Sequence, residues 1–244
     1  MRDILVCSLC GLFVGLATAV TQDNIVQLEQ IPTVDTVFGT SRPALKENQL
    51  LVERHLYIAA IDTKARQPAW VSFTVHKRDW DTDNVLSRNF RTPKQLQDAS
   101  LEESDYDSSG FDLGHLYGLQ FVSNSAYAAE VNEVEVIAAQ KPDLNRRVWL
   151  QAENRIKDAS FDVPVSVLTG QLWLKQMPKL PNADEDHAIA SHCFVIMDPG
   201  PSGNEEAYLI PQDCDKDSPV ADYKVEADEL RELIADKWIH SVRK

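Results

Sequence analysis

The chain lacks a positive balance: 24 lysines and arginines stand against 38 aspartates and glutamates, for a formal charge of −14. Proteins that grip nucleic acid draw much of their affinity from neutralising phosphates. A uniformly basic binding surface is therefore excluded. Repeats, heptads and low-complexity tracts are also missing, which removes solenoids, coiled coils and long linkers. No Gly-x-Ser-x-Gly elbow or phosphate loop occurs, and past residue 19 there is no paired-cysteine metal motif. The usual serine-hydrolase, nucleotide-loop and zinc-ribbon chemistries go with them. Cysteine is scarce, with four in 244 residues and two of those within the first ten. A disulfide-dense scaffold is not available to such a chain.

What remains is ordinary for a globular domain: 43% hydrophobic and 25% charged residues. The first nineteen residues stand apart from it. Arg2 precedes an apolar run from Ile4 to Val20 that passes through Ala17-Thr18-Ala19 and turns polar at Thr21. This is the pattern of a secretory signal peptide cleaved near Ala19. An uncleaved anchor is the rival reading, because the run is almost long enough to span a bilayer. With the leader removed the protein is expected outside the cytoplasm, secreted or periplasmic, without stable membrane association. Cys193 and Cys214 are then its remaining thiols, and in an exported chain they invite one disulfide.

Charge is unevenly spread. Between Lys64 and Lys94 seven basic residues face three acids, whereas Asp98 to Asp112 holds six acids and no base. Asp198 to Glu229 holds ten acids and two lysines. A basic strip on an acidic shell is consistent with this, and so is plain solvation of each cluster.

Hydrophobic periodicity predicts mixed elements. Leu51 to Ile61 and Ala69 to Val75 read as strands of a hairpin, with Gln67 and Pro68 in the turn. Arg88 to Ser109 reads as a long polar loop. Gly110 to Tyr117 resumes as a strand, Ser125 to Asn132 as a short helix and Glu133 to Ala138 as a second strand. Arg146 to Asp158 is helical by composition. Strands follow over Val163 to Thr169, Ala188 to Met197 and Ala207 to Ile210, and an amphipathic helix over Val225 to His240. Without βαβ regularity the class is α+β. Residues 20–50 form a lead-in and 51–240 one domain.

Three features within that domain carry chemistry. Asp112-Leu113-Gly114-His115 lies on a strand, a second short strand follows, and Asn145, Trp149 and Glu153 then recur at spacings of four on a helix. That spacing sets the three along one helical face. Eight residues rise ~12 Å, too far for Asn145 and Glu153 to ligate one ion from ideal positions. One can bind the ion while the other holds its waters, a coordination that suits Mg²⁺. A neutral His115 opposite can deprotonate a water, since its ordinary pKa lies near working pH. Each residue also has a bland reading: His115 as a structural histidine, Asn145 as a helix cap, Glu153 as a solvated side chain and Trp149 as core. Asp184-Glu185-Asp186-His187 with His192-Cys193 suggests zinc only weakly, because a histidine spacing of five suits neither one helix face nor one strand face.

The paired motifs, Asp112-Leu113-Gly114-His115 and then Gln140 to Trp149 with Glu153, resemble the DNA/RNA non-specific endonuclease family. Trp70-Val71-Ser72-Phe73, Leu168-Thr169-Gly170 and Pro178-Lys179-Leu180-Pro181 are similar to flanking pieces of it, so the likeness runs from about Tyr57 to Trp238. The resemblance implies a ββα-metal nuclease fold, with an antiparallel sheet core flanked by helices. It implies Mg²⁺ or Mn²⁺ as cofactor, and DNA and RNA as substrates. His115 would be the general base, Asn145 the metal ligand, and Glu153 a catalytic residue holding the metal's waters.

The chain departs from the family pattern where phosphate is gripped. Leu113 stands where the strand motif has arginine, Thr74 where an early strand often carries one, and Lys157 where the helix does. A lysine cannot reproduce a bidentate arginine contact. Lys77, Arg78, Arg155 and Lys157 are the candidate substrate-binding cations. The expected function is a Mg²⁺-dependent endonuclease cutting phosphodiesters without sequence specificity. The alternative is a catalytically weakened relative that binds nucleic acid or a protein.

Overall fold

The computed structural model describes residues 25–27, 43–80 and 87–236. The expected signal peptide, and Trp238 of the helix expected over Val225 to His240, lie outside them. An eight-stranded sheet forms the body, in the order β1-β2-β3-β4-β7-β8-β9-β10. Its strands are β1 (Ile25–Gln27), β2 (Gln49–Glu53), β3 (Tyr57–Asp62), β4 (Gln67–Val75), β7 (Val165–Leu172), β8 (His192–Asp198), β9 (Glu206–Pro211) and β10 (Lys224–Val225). All pairs are antiparallel except β1 with β2. The sheet thus begins ahead of residue 51, where the domain was expected to start.

Two expectations at its first hairpin need correcting. Leu51 to Ile61 is two strands, because the chain reverses at residues 54–56 and Arg54 N–H donates back to the Tyr57 carbonyl at 2.9 Å. Gln67 and Pro68 are strand residues, paired with Asp62 and Ile61. The turn lies just before them. Asp62 Oδ1 accepts from the Lys64 and Ala65 N–H groups at 3.0 and 2.9 Å, and Arg66 takes φ 53°, a local aspartate turn closed by a left-handed residue.

Side chains alternate across the sheet. Tyr57, Val71, Phe73, Val75, Val167, Val195 and Tyr208 enter one buried cluster. Ile58, Trp70, Leu168, Phe194 and Ile196 enter a second on the opposite face. Helix α3 (Ala227–Asp236) covers that second face with Leu230 and Ile234. The first face carries a smaller unit: β5 (Asp112–His115) paired antiparallel with β6 (Ile137–Gln140), then α2 (Leu150–Ala159). A short helix α1 (Lys77–Trp80) follows β4. Among the described residues no helix is long and apolar enough to cross a membrane.

Buried glutamines fasten this unit to the sheet. Gln67 Oε1 accepts from Ala139 N–H at 3.0 Å. Gln212 Nε2 donates to the Ala139 carbonyl at 2.7 Å, and Gln212 Oε1 accepts from Lys141 N–H at 2.8 Å. The strand that pairs with β5, which bears His115, is thereby held by amides that satisfy its backbone. The expected loop 88–109 is also better ordered than its polarity implied. It holds 3-10 turns at Lys94–Leu96 and Glu103–Tyr106 and buries Leu96, Leu101 and Tyr106. The short helix and second strand expected from Ser125 to Ala138 are 3-10 turns at Ala128–Asn132 and Val134–Val136, leading into β6.

The expected disulfide is not formed. Cys193 and Cys214 are both buried free thiols. Cys193 Sγ accepts from Gln140 Nε2 at 3.5 Å, and burial pushes its thiol up to about 12. A protonated thiol engaged by an amide inside the core is unreactive.

Candidate active site

A cleft of about 610 Å³ opens between β5, the start of the helical segment and the loop ahead of β5. Its walls include His115, Asn145 and Glu153, together with Arg88, Phe90, Asp112, Leu113 and Gln120. The three residues singled out by spacing therefore converge. The helix opens with a π-helical turn over Leu144–Trp149 before α2 begins, a local widening often found at functional sites. Trp149 is core, as expected, at 2% exposure. Its indole Nε1 donates to the His115 carbonyl at 3.0 Å, so helix and strand are joined beneath the histidine.

His115 is 9% exposed. Burial lowers its pKa to about 4, against a hydrogen bond with Asn132 that favours the charged form; Arg88 adds to the lowering. The imidazole is therefore neutral at physiological pH. Its ring lies 5.5 Å from that of Phe90.

Asn145 Nδ2 donates to Asp112 Oδ2 at 2.9 Å. A carboxylate only accepts, so the amide must turn its nitrogen to Asp112 and keep its carbonyl oxygen for another partner. Arg146 grips the same carboxylate twice, at 2.8 and 2.7 Å. Partial burial works against ionisation of Asp112, yet Arg146 and Asn145 hold its carboxyl below the usual range.

Glu153 is the electrostatic opposite. Burial pushes its carboxyl up to about 7, against hydrogen bonds from Gln120 and Trp149 and the nearby Arg88. Gln120 Nε2 donates to Glu153 Oε2 at 2.9 Å. Gly118 makes room for it: a Cβ there would sit 2.5 Å from Glu153 Oε1. An oriented amide oxygen at Asn145 and a desolvated carboxyl at Glu153, in one open cleft, form a donor set that fits a hard divalent cation.

This predicts a trade of stability for function. Glutamate ionises near 4.5 in the unfolded chain and near 7 in the fold. Between those values the folded protein holds the extra proton, so stability falls as pH rises and the cost persists above the window. Without metal, Glu153→Gln should be more stable than wild type at pH 8, by about 1–2 kcal/mol once partial exposure is discounted. It should not differ at pH 4. Urea midpoints in chelator at the two pH values measure this.

The four expected substrate cations do not line the cleft, and this is a correction. Lys77 Nζ sits 3.4 Å over the Phe161 ring and Lys157 Nζ 4.4 Å over that of Trp80. Arg155 is held bidentately by Glu206 at 2.8 and 2.7 Å. Arg78 lies beside Asp79 at 3.7 Å on the surface. Thr74 belongs to the sheet face of Trp70 and Ser72, since alternation along β4 sets it opposite Phe73 and Val75. Two arginines do line the cleft: Arg146, which is engaged by Asp112, and Arg88. Arg88 stood in the basic segment from Lys64 to Lys94, but no spacing distinguished it there. Asn132 and Gln120, which hold His115 and Glu153, had no motif to mark them.

Outside the cleft, the carboxylates of Asp105, Asp184 and Glu185 approach within 4.8 Å of one another. His187 is not among them. Its Nε2 accepts from Leu180 N–H at 2.9 Å and its Nδ1 lies 2.9 Å from the Glu185 carbonyl.

Comparison with known proteins agrees with the geometry. A family model described as DNA/RNA non-specific endonuclease matches residues 39–240. A nuclease from Serratia marcescens is 26% identical over 200 residues, covering 77% of this chain and 74% of that protein. A chain in the crystal structure of the EndoG/EndoGI complex superposes with a TM-score of 0.71 at 18% identity. That match covers 83% of this chain and 91% of the other. The shared architecture is the ββα-metal nuclease fold.

Proposed function

The chain belongs to the DNA/RNA non-specific endonuclease family and is a nuclease, and from that premise we propose an exported endonuclease that uses Mg²⁺ or Mn²⁺ to hydrolyse DNA and RNA without sequence preference. The observation that carries this reading is the convergence of His115, Asn145, Glu153 and Arg88 on one cleft. The apolar run ending at Ala17-Thr18-Ala19 supports export.

In this reading His115 takes a proton from water as the water oxygen attacks phosphorus and the bond to the leaving oxygen breaks. The imidazole is neutral above about pH 4, hence always ready to accept. An arriving phosphate raises its basicity, because a nearby anion favours the imidazolium. Asn145 would hold the ion through its amide oxygen, and Glu153 would hold it through water. When bound, the ion supplies charge neutralisation at the scissile phosphate. Arg88 offers a guanidinium to the same phosphate.

The deciding experiment is cleavage of plasmid DNA and of RNA with and without chelator. Both substrates should be cut, and both reactions should stop on chelation and resume with added Mg²⁺. Binding without cleavage would leave the weakened-relative reading.

Leu113 is the one wall position where the resemblance has arginine and the structure has an apolar side chain. It is half-buried against Tyr106 and Ala139, with its free side on the cleft. Leu113→Arg should therefore lower KM for nucleic acid by about threefold to tenfold at low salt, the worth of roughly one phosphate contact. The slope of log KM against log salt should steepen by about one. Parallel salt titrations of the two proteins read this out.

A further inference from the structure

The charged groups lining the cleft offset one another. Two arginines, Arg88 and Arg146, face two carboxyls, Asp112 and Glu153. Much of the remaining wall is apolar, formed by Leu113, Leu119 and Leu150. Leu150, the first residue of α2, is 43% exposed. Of the large apolar side chains left exposed among the described residues, it is the one on the cleft. An uncovered leucine gains nothing from a phosphate. What it can meet in a nucleic acid is the flat face of a base or the carbon side of a sugar.

Phe90, on the cleft wall, also lines a second, open groove of about 550 Å³ whose lining includes Glu102, Glu103 and Asp107. All three acids are exposed, and among the described residues no basic side chain lines that groove. A capping box fixes its edge, with Asp105 Oδ2 accepting from Glu102 N–H at 2.8 Å. The catalytic cleft thus has a leucine lip within it and a wall of carboxylates beside it.

We propose that this cleft selects single-stranded nucleic acid, DNA or RNA: the leucine lip takes the base or sugar beside the scissile phosphate, and the acidic groove turns a second strand away. The proposal rests on the nuclease reading and adds the form of the substrate. In a duplex the base faces are stacked on one another and closed to an apolar lip, whereas a single strand leaves them open. A duplex also carries one charge per about 1.7 Å of its axis, about twice the density of either strand alone. A cleft whose own charges offset one another, flanked by three carboxylates, is poorly matched to that density. Duplex is cut more slowly rather than spared, because the phosphodiester itself is the same.

Fluorescence anisotropy in Mg²⁺ tests this with the His115→Ala protein, which should leave the strands whole. The probes are a DNA strand of about 12 nucleotides without self-complementarity, the RNA strand of the same sequence, and the DNA duplex. Each single strand should bind about tenfold tighter than the duplex at low salt, and wild-type kcat/KM should follow the same order. Leu150→Gln keeps the length of the side chain and loses its apolar surface. It should weaken single-strand binding by about threefold to tenfold and leave the duplex unchanged. Replacing the acidic wall together, Glu102→Gln with Glu103→Gln and Asp107→Asn, should tighten the duplex more than the single strand and narrow the preference by about threefold. A duplex bound as tightly, or cut as fast, as either single strand would overturn the proposal. So would a Leu150→Gln that weakens both forms equally or neither, an acidic-wall variant with an unchanged ratio, or no binding of any probe. The nuclease reading fails separately, when wild type cuts none of the three while His115→Ala still holds single strands over duplex.

Discussion

His115→Ala should lower kcat by about 10²- to 10⁴-fold, the usual loss when a positioned general base is removed, and leave Mg²⁺ affinity nearly unchanged. Separate attachments produce that separation. The histidine is held through Asn132 at 3.1 Å and through its own carbonyl by Trp149 at 3.0 Å. The proposed metal ligand is held by Asp112 from another direction. Cleavage rates and a calorimetric Mg²⁺ titration on the same variant distinguish base from ligand. Unaltered cleavage would remove His115 from the mechanism.

The same variant has a pH signature. Unfolded histidine takes up a proton near 6.5, whereas the folded ring stays neutral down to about 4. Over that interval the unfolded state binds more protons, so wild-type stability is present above pH 6.5 and is lost as pH falls towards 4. The loss attributable to this ring is about 3 kcal/mol at its limit. His115→Ala should lose correspondingly less stability between pH 7 and pH 4, as urea midpoints will show. An equal loss in both proteins would mean that the ring is not desolvated as described.

Asn145→Ala should weaken Mg²⁺ binding by about 10- to 100-fold and cut activity at limiting metal, with partial recovery at high Mg²⁺ or Mn²⁺. The reasoning is again one of direction. Asp112 takes the amide nitrogen at 2.9 Å, so the carbonyl oxygen is what the alanine removes. Asp112 keeps its two contacts from Arg146, which preserves the local fold and limits the damage to the cation. Metal-dependence curves for cleavage check this. A variant slowed to the same degree at every metal concentration would show that Asn145 is not a ligand.

Arg88 shows where reading from sequence stopped. It is one of seven basic residues between Lys64 and Lys94, and it lines the cleft next to Ser87, whose carbonyl Asn132 holds from 45 positions away. Lys157, better placed by motif, and Arg155, a candidate without one, meet partners that no spacing announces. Lys157 meets Trp80 across the fold, and Arg155 meets Glu206, 51 residues on. The two cysteines are the same case. Their number invited a bond, while burial and Gln140 keep Cys193 a thiol.

By itself the sequence determined the mixed helix and sheet class, most of the strands, and the common helical face of Asn145 and Glu153, while the resemblance of its motifs to the endonuclease family set His115 beside them. Those properties depend on periodicity along one element, where a spacing of two or four dictates which way side chains face. Only the tertiary structure decided which cations line the cleft, which amide meets His115, how far Glu153 is desolvated and whether the thiols pair. Those depend on what packs opposite a side chain. The period of a strand or helix sets the direction in which a residue points, but the neighbour it meets comes from a segment tens of residues away.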